Sequence, residues 1–475
     1  MQLPDRKYKW LFLPLETKVR ELDGKLLLAA IAVERGWAVI IGRKNSVAEF
    51  ASDIRGIVIE KDGLASKNDR IDQYIIEGKH VCVMDEEGLV YLNSRDYYRR
   101  RLDADNLHKM EYFFLWGGIQ HRDVLEHIPG IESKLVLTGN PRFDLLRPEF
   151  RDYYTSEGIQ LKNKYGNFIL INTNFADSNH FLGTESMIYH QRKRGSIKTD
   201  HDEAEDRAFI EYQARIVDFF VEMIPRVSAS YPHHKIIIRP HPSENHQKWF
   251  SIAHGLKNVS VIHEGDVNPW LLAADMFIHN SCMTGIQGFL LDKPGITYMP
   301  IQSDQFDYYI PNALSIMTTS MNELVSTSAN LIKNPNYFGP VDRNLKMQIA
   351  EHYITGITGS FASDRILNTL ETLEIEPNNY NKKAPGSTDK IKYNPEPGNR
   401  ASLIDGFINK LFGKINETKL SETQKTKLAY SRQKFPGLRL EEVQTRITRL
   451  KSITNRFERI QIHQISNNLF FIQPD

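Results

Sequence analysis

The chain has very little cysteine, almost no net charge and no long apolar run. Only Cys82 and Cys282 occur in 475 residues, which excludes a disulfide framework and fits a reducing compartment. A formal net charge of +1 provides no global field that would demand nucleic acid as a partner. No stretch of about twenty apolar residues exists, so no membrane-spanning helix is expected. The patch Trp10–Leu13 is too brief for a secretory core, and the expected location is the cytoplasm. The chain also lacks a Walker A loop, a G-x-G-x-x-G fingerprint, a G-x-S-x-G elbow and an H-E-x-x-H pair. Its sixteen histidines show no zinc-like pairing with cysteine, so no metal site is expected.

The composition is that of a globular protein with a real core: 41% of residues are hydrophobic and 25% charged. The length suits two sizeable domains and an extra segment. Short apolar runs alternate with amphipathic stretches, which implies parallel sheets covered by helices. The first series of expected strands is Lys9–Leu13, Trp37–Ile41, Gly56–Glu60, His80–Met84, Tyr112–Leu115 and Lys134–Leu137. A helix over Arg20–Arg35, with Leu22, Leu26, Leu27 and Ala30 on one face, would end at Gly36. The second series is Phe168–Asn172, Lys235–Arg239, Val259–Ile262, Met276–His279 and Gly295–Met299, with a long helix over Ala208–Val227.

The expected division is therefore an N-terminal Rossmann-like domain over 1–165 on the acceptor side and a second over 166–375 on the donor side, facing a central cleft. A disordered linker, 376–400, holds Pro377, Pro385, Pro395 and Pro397. The tail 401–475 has 13 basic and 7 acidic residues, a net of +6, and reads as mainly helical. Its apolar stripe Leu403, Ile404, Phe407, Ile408, Leu411, Phe412 and Ile415 would lie on an anionic membrane surface or dock on protein.

Arg239-Pro240-His241-Pro242 follows the apolar run Ile236–Ile238. Open α/β sheets bind ligands at the carboxyl ends of their strands, and flanking prolines fix the backbone there. His241 would donate to a phosphate oxygen, with Arg239 as a second cation; a loop histidine satisfied by backbone is the competing reading. His279-Asn280-Ser281-Cys282-Met283-Thr284-Gly285 likewise follows a strand and opens a helix. That is an anion site if Ser281, Thr284 and Gly285 present hydroxyls and N–H groups, or a plain helix cap if not. Asp85-Glu86-Glu87-Gly88 ends another strand, where crowded carboxylates would supply a general base or merely a solvated acidic turn. Glu16 to Lys25 is a charge-dense first turn that would hold acceptor or phosphate groups, or simply cap a helix through Glu21 and Lys25. Asn172-Thr173-Asn174 would bring side-chain amides to a donor, or form a turn.

Glu16–Asp23, Asp85–Leu89, Trp116-Gly117, Thr138–Asp144, Asn172–Phe175 and Arg239–Pro242, in that order, resemble the bacterial surface carbohydrate biosynthesis proteins over about residues 8–370. More distantly, an acidic-acidic-Gly motif, a His-Pro motif and a Ser/Thr loop resemble bacterial sialyltransferases and Kdo transferases, GT-B enzymes that use CMP-activated sugars. The resemblance implies that Glu86 or Glu87 is the base, Asp85 beside them, and that His241, Pro242, Ser281 and Thr284 hold the CMP moiety. It implies an acidic residue near Gln287, which is neutral here, a departure that bears on the donor's affinity or identity. Polyol-phosphate transferases of teichoic acid synthesis share the layout.

The expectation is a metal-independent GT-B glycosyltransferase with a nucleotide-sugar donor, CMP-linked and acidic, and a glycan or lipid-linked acceptor. No cofactor beyond that donor is expected, and 401–415 would touch the inner face of the membrane. A UDP-sugar 2-epimerase, a polyol-phosphate transferase and a non-catalytic scaffold of a glycan-assembly complex are the alternatives.

Overall fold

A computed structural model describes residues 7–378 and 421–475. The expected linker beyond Asn378 and the apolar stripe 401–415 lie outside the described residues.

Two sheets organise the chain. The first contains β1 (Trp10–Leu15), β2 (Ala38–Arg43), β3 (Ile57–Glu60), β4 (His80–Met84), β5 (Phe113–Leu115) and β6 (Leu135–Leu137). All run parallel, in the order β2-β1-β3-β4-β5-β6. The second contains β7 (Phe168–Asn172), β8 (Lys235–Arg239), β9 (Val259–Val261), β10 (Met276–His279), β11 (Gly295–Tyr298) and β12 (Ile316–Thr318). Its order is β12-β11-β10-β7-β8-β9, again parallel throughout. Strands such as Trp10–Leu15 and Phe168–Asn172 are buried along their whole length, as strands covered on both faces must be. The chain is thus α/β with two Rossmann-like domains facing a cleft, the expected GT-B arrangement.

The two strand orders matter for function. A doubly wound sheet binds its ligand where the strand order reverses. In the first sheet the reversal lies between β1 and β3; in the second it lies between β7 and β10.

The first helix, Lys18–Glu34, is buried on nearly every side, because the short helix Pro141–Asp144 and three further segments cover it. One is the first sheet. Another is the helix Ala362–Leu370, with buried Ile366, Leu367 and Leu370. It belongs by sequence to the second series yet packs on the first domain, where Asp144 accepts from the Ala362 and Ser363 N–H groups at 2.9 and 3.1 Å.

The third covering segment is the tail. Its helices Glu422–Lys434 and Leu440–Thr454 are the helical character expected there, and the second lays Val443, Ile447 and Leu450 against Lys18–Glu34. The chain then ends in an unanticipated hairpin, β13 (Ile460–Ser466) and β14 (Leu469–Pro474), which joins the first sheet antiparallel to β2. Phe470 and Phe471 are fully buried, and Phe471 stacks on Trp10 with centroids 5.5 Å apart. The tail closes the edge that β2 would otherwise leave open. Among the described residues no helix is long and apolar enough to cross a membrane.

Candidate functional site

The carboxyl ends of both sheets open into one cleft of about 580 Å³. The first domain contributes Glu16 and Arg20 after β1, Lys44 after β2, Lys61 and Asp62 after β3, and Glu86 and Glu87 after β4. The second contributes Asn172 to Asn174 after β7, Arg239 to Ser243 at the end of β8, and Cys282 to Thr284 after β10.

The three adjacent carboxylates have separate fates. Asp85 is buried and does not line the cleft. It accepts from Arg101 at 2.5 Å, from the Tyr97 hydroxyl at 3.0 Å and from the Glu87 N–H at 3.1 Å, so it braces the turn rather than facing a substrate. Glu87 reaches toward solvent between Arg20 at 2.7 Å and Arg101 at 3.1 Å. Arg101, then Arg20 and Lys61, hold its carboxyl well below the usual range. Glu86 lines the cleft but is only 1% exposed, and neither carboxylate oxygen has a hydrogen-bond partner. Lys25 lies 3.9 Å and Arg142 3.5 Å from it, beyond good hydrogen-bonding distance. Burial pushes the Glu86 carboxyl upward, with those two cations opposing and Glu21 adding to the rise. Of the three, Glu86 is the one whose burial favours taking up a proton.

On the opposite wall, β8 ends in the turn that carries His241. A buried carboxylate, Glu244, holds this turn from inside. It accepts from the His241 N–H at 3.1 Å, the Phe175 N–H at 3.0 Å, the Thr173 hydroxyl at 2.7 Å and the Trp249 indole at 2.8 Å. The Arg239–Pro242 motif points to the turn but not to Glu244, which lies two residues beyond its second proline. Its position just after the two prolines was the only signal.

The His241 Nδ1 accepts from the Ser243 N–H at 3.2 Å, which leaves the proton of a neutral ring on Nε2. Burial, with Arg20 and then Lys434 adding, lowers its pKa to about 3. His241 is therefore a neutral donor. Arg239, expected as a companion cation, is otherwise engaged. Its guanidinium donates to the Glu264 and Gly265 carbonyls at 2.8 and 3.0 Å and sits 4.9 Å from the Trp270 ring centre. It stiffens the neighbouring loop while still bordering the cleft.

The loop after β10 divides in the same way. Ser281 has φ +43° and turns its hydroxyl back to Asn312 at 2.9–3.1 Å; it does not line the cleft. Gly285 is a packing position, since a Cβ there would meet the His279 ring at 2.6 Å. Thr284 does line the cleft, at the start of the helix Met283–Leu290, and its buried hydroxyl has no partner. Asn172 also borders the cleft with its Nδ2 unpartnered. Asn174 is tied to Asn280 and Ser281, and Gln287 donates to Asn268 at 3.0 Å. Pro242 offers its carbonyl to Gln433 of the tail at 2.5 Å.

Sequence reasoning did not single out the cleft residues Lys44, Lys61, Lys67, Asp266, Tyr430 and Lys434, and it placed Arg142 in the Thr138–Asp144 motif without a role. Asp266 caps the helix Val267–Ala273, and burial lifts its pKa to about 7, Asp23 adding to the rise. Among the described residues no three of His, Cys, Asp and Glu are grouped to hold a metal ion.

No family model matches the chain, and no curated protein matches it in sequence. Solved structures match in overall layout. A UDP-GlcNAc 2-epimerase of Methanocaldococcus jannaschii, in complex with UDP-GlcNAc and UDP, is 15% identical with a TM-score of 0.46, over 76% of this chain and 99% of its own. The UDP-GlcNAc 2-epimerase of Neisseria meningitidis gives 13% and 0.45, over 77% and 99%. The wall teichoic acid polymerase TagF gives 10% and 0.47, over 77% and 88%. At these identities no residue role passes from those proteins to this chain.

Proposed function

We propose that this chain is a GT-B glycosyltransferase of surface-glycan assembly. Its nucleotide-sugar donor lies on the second-domain wall and its acceptor hydroxyl on the first. The observation that carries the reading is the pairing, across one cleft, of an unbonded buried carboxyl at Glu86 with a neutral histidine at His241. Glu86 takes the proton of the acceptor hydroxyl as that oxygen bonds to the anomeric carbon. The bond from that carbon to the donor phosphate oxygen breaks, and the electron pair leaves on the phosphate. His241 Nε2–H, the Thr284 hydroxyl and the N–H groups opening Met283–Leu290 receive the developing charge. Those donors do the work that a divalent cation does elsewhere, so the reaction is proposed to be metal-independent. The proposed donor is a CMP-linked acidic sugar, and the place of action is the cytoplasm, with a peripheral membrane contact through 401–415.

Calorimetric titration with CMP, CDP and UDP tests the reading. Binding of a cytidine nucleotide that is lost in His241→Ala supports the transferase. Binding of UDP alone turns the assignment to a UDP-sugar epimerase, for which a buried, unbonded carboxyl at Glu86 is equally apt. Absence of any nucleotide binding leaves only the scaffold.

A further inference from the structure

The reversal point of the first sheet, between β1 and β3, is not used by the chemistry above, yet it is built like a ligand site. Glu16 follows β1, and Lys61 and Asp62 follow β3. The carboxylate of Glu16 lies 3.0 Å from Lys44, 3.2 Å from Lys61 and 3.8 Å from Lys434; Asp62 lies 3.7 Å from Lys61 and 3.9 Å from Lys67. Four ammonium groups thus share two carboxylates, a surplus of two positive charges, and all six side chains line the cleft. The Nζ donors of Lys67 and Lys434 make no hydrogen bond among the described residues; Lys44 makes one, to Glu16 at 3.0 Å. Burial lowers the pKa of Lys44, Glu16 opposing and Lys67, Lys61 and Arg70 adding, while Glu16 and Asp62 raise that of Lys61 against its burial.

The fourth lysine comes from the tail. The helix Glu422–Lys434 lies over the mouth of the cleft and is fastened to both walls. Tyr430 stacks on Phe181 with centroids 5.4 Å apart and donates to the Ser243 hydroxyl at 3.2 Å, and Gln433 donates to Pro242. On the other side Arg43 donates to Ser431 at 2.8 Å. The tail helix thus places Lys434 above the acceptor wall.

We infer that Lys44, Lys61, Lys67 and the tail's Lys434 form a second anion site, which holds a phosphate or diphosphate group carried by the acceptor. The inference rests on the transferase reading for the word acceptor. The anion site itself stands on the lysines alone. A doubly charged group would neutralise the surplus, and a reversal point is where a doubly wound sheet holds its ligand. Lysine serves a phosphate as a compact charge with rotatable donors.

The full-length chain is titrated with inorganic pyrophosphate, alongside Lys67→Gln/Lys434→Gln and His241→Ala. Both lysines are surface-accessible in part, and unchanged melting temperatures confirm folding of the variants. Pyrophosphate is expected to bind the wild type and His241→Ala alike and to bind the double variant about tenfold or more weakly. Single Lys434→Gln should give part of that loss. No binding to the wild type, equal binding to the double variant, or loss in His241→Ala alone overturns the inference. Nucleotide affinity is expected to be unchanged in the double variant; its loss assigns the lysines to the donor phosphate and also overturns the inference. A wild type that binds pyrophosphate through these lysines but binds no nucleotide would instead sink the transferase reading and leave the anion site standing.

Discussion

The two walls of the cleft solve the problem of holding polar groups out of water in opposite ways. The first-domain wall is a mesh of full charges: Arg20, Lys61 and Arg101 are set against Glu16, Asp62 and Glu87, and Arg142 faces Glu86. The second-domain wall has fewer charges: His241, Asn172 and Thr284 present an uncharged imidazole, an amide and a hydroxyl, with Arg239 held by backbone carbonyls and Asp266 beside them. A charged mesh tunes the titration of whatever sits inside it, which is how Glu86 and Glu87, adjacent in sequence, come to be pushed in opposite directions. A wall with fewer charges costs less to desolvate and gains most when an anion arrives. In the proposed transferase, proton transfer would fall to the first wall and leaving-group stabilisation to the second.

The sharpest way to break this division is Glu86→Gln. It keeps the shape and removes the base, so turnover is expected to fall by about 10²–10⁴ while nucleotide affinity, set by the other wall, stays within about twofold. Steady-state rates together with calorimetry check both halves. A variant that keeps full turnover removes Glu86 from the chemistry.

His241→Ala addresses the second wall. Hydrogen bonds to a charged partner are worth about 1.5–3 kcal/mol, so nucleotide affinity is expected to weaken roughly ten- to hundredfold. Melting temperature should fall only slightly, because Glu244 holds the turn through the backbone N–H of residue 241 and the imidazole adds only the 3.2 Å bond from the Ser243 N–H. Unchanged nucleotide affinity would remove the histidine from the donor site.

Much of this wall was legible before the structure. The strands that precede His241 and Thr284 are uninterrupted apolar runs, and Lys235–Arg239 and Met276–His279 form with the bounds expected. Strand β12 is three residues long and gave too little pattern. In the terminal hairpin, isoleucine alternates with polar residues over Ile460–His463 but the alternation slips at Gln464, where the pairing register shifts, so the period-two signal is short within a basic tail that reads as helical. The separation of Glu86 from Asp85 and Glu87 was not legible. It depends on arginines 20 and 101, brought in from two other elements. Nor was the turning-away of Ser281, which follows from its positive φ and the approach of Asn312.

Acid should break the second wall in a measurable way. His279 is fully buried, its Nδ1 accepts from the Cys282 N–H at 3.2 Å, and its Nε2 lies 2.8 Å from the Ser315 hydroxyl, which in turn donates to the Pro311 carbonyl. Only the neutral ring satisfies that chain. Burial accordingly lowers its pKa to about 3. The unfolded chain binds a proton at about 6.5 and the folded one does not. Stability is therefore complete above pH 6.5 and declines as pH falls below it, by up to about 1.4 kcal/mol per pH unit from this residue. About 2 kcal/mol is then gone by pH 5. Melting temperatures at pH 7 and pH 5, compared between wild type and His279→Gln, report it. The variant is less stable at pH 7 but should show the shallower dependence, and an equal slope would show that His279 is not among the groups that titrate.

The smallest expected effect belongs to Glu87→Gln, and it is the control that gives the Glu86 result its meaning. Glu87 is ionised and shared by two arginines, with its side chain 41% exposed. An ion pair that water can reach contributes roughly 0.2–1 kcal/mol, and Arg101 keeps its 2.5 Å contact with Asp85 when Glu87 is gone. Turnover should stay within about threefold and the melting temperature should shift only slightly. If Glu87→Gln loses as much activity as Glu86→Gln, the proton acceptor is not one carboxyl but the pair acting through Arg20, and the first wall has to be treated as a single titrating unit. If only Glu86→Gln fails, the neighbouring ion pairs have done no more than hold one carboxylate ionised while burial keeps the other ready to take a proton.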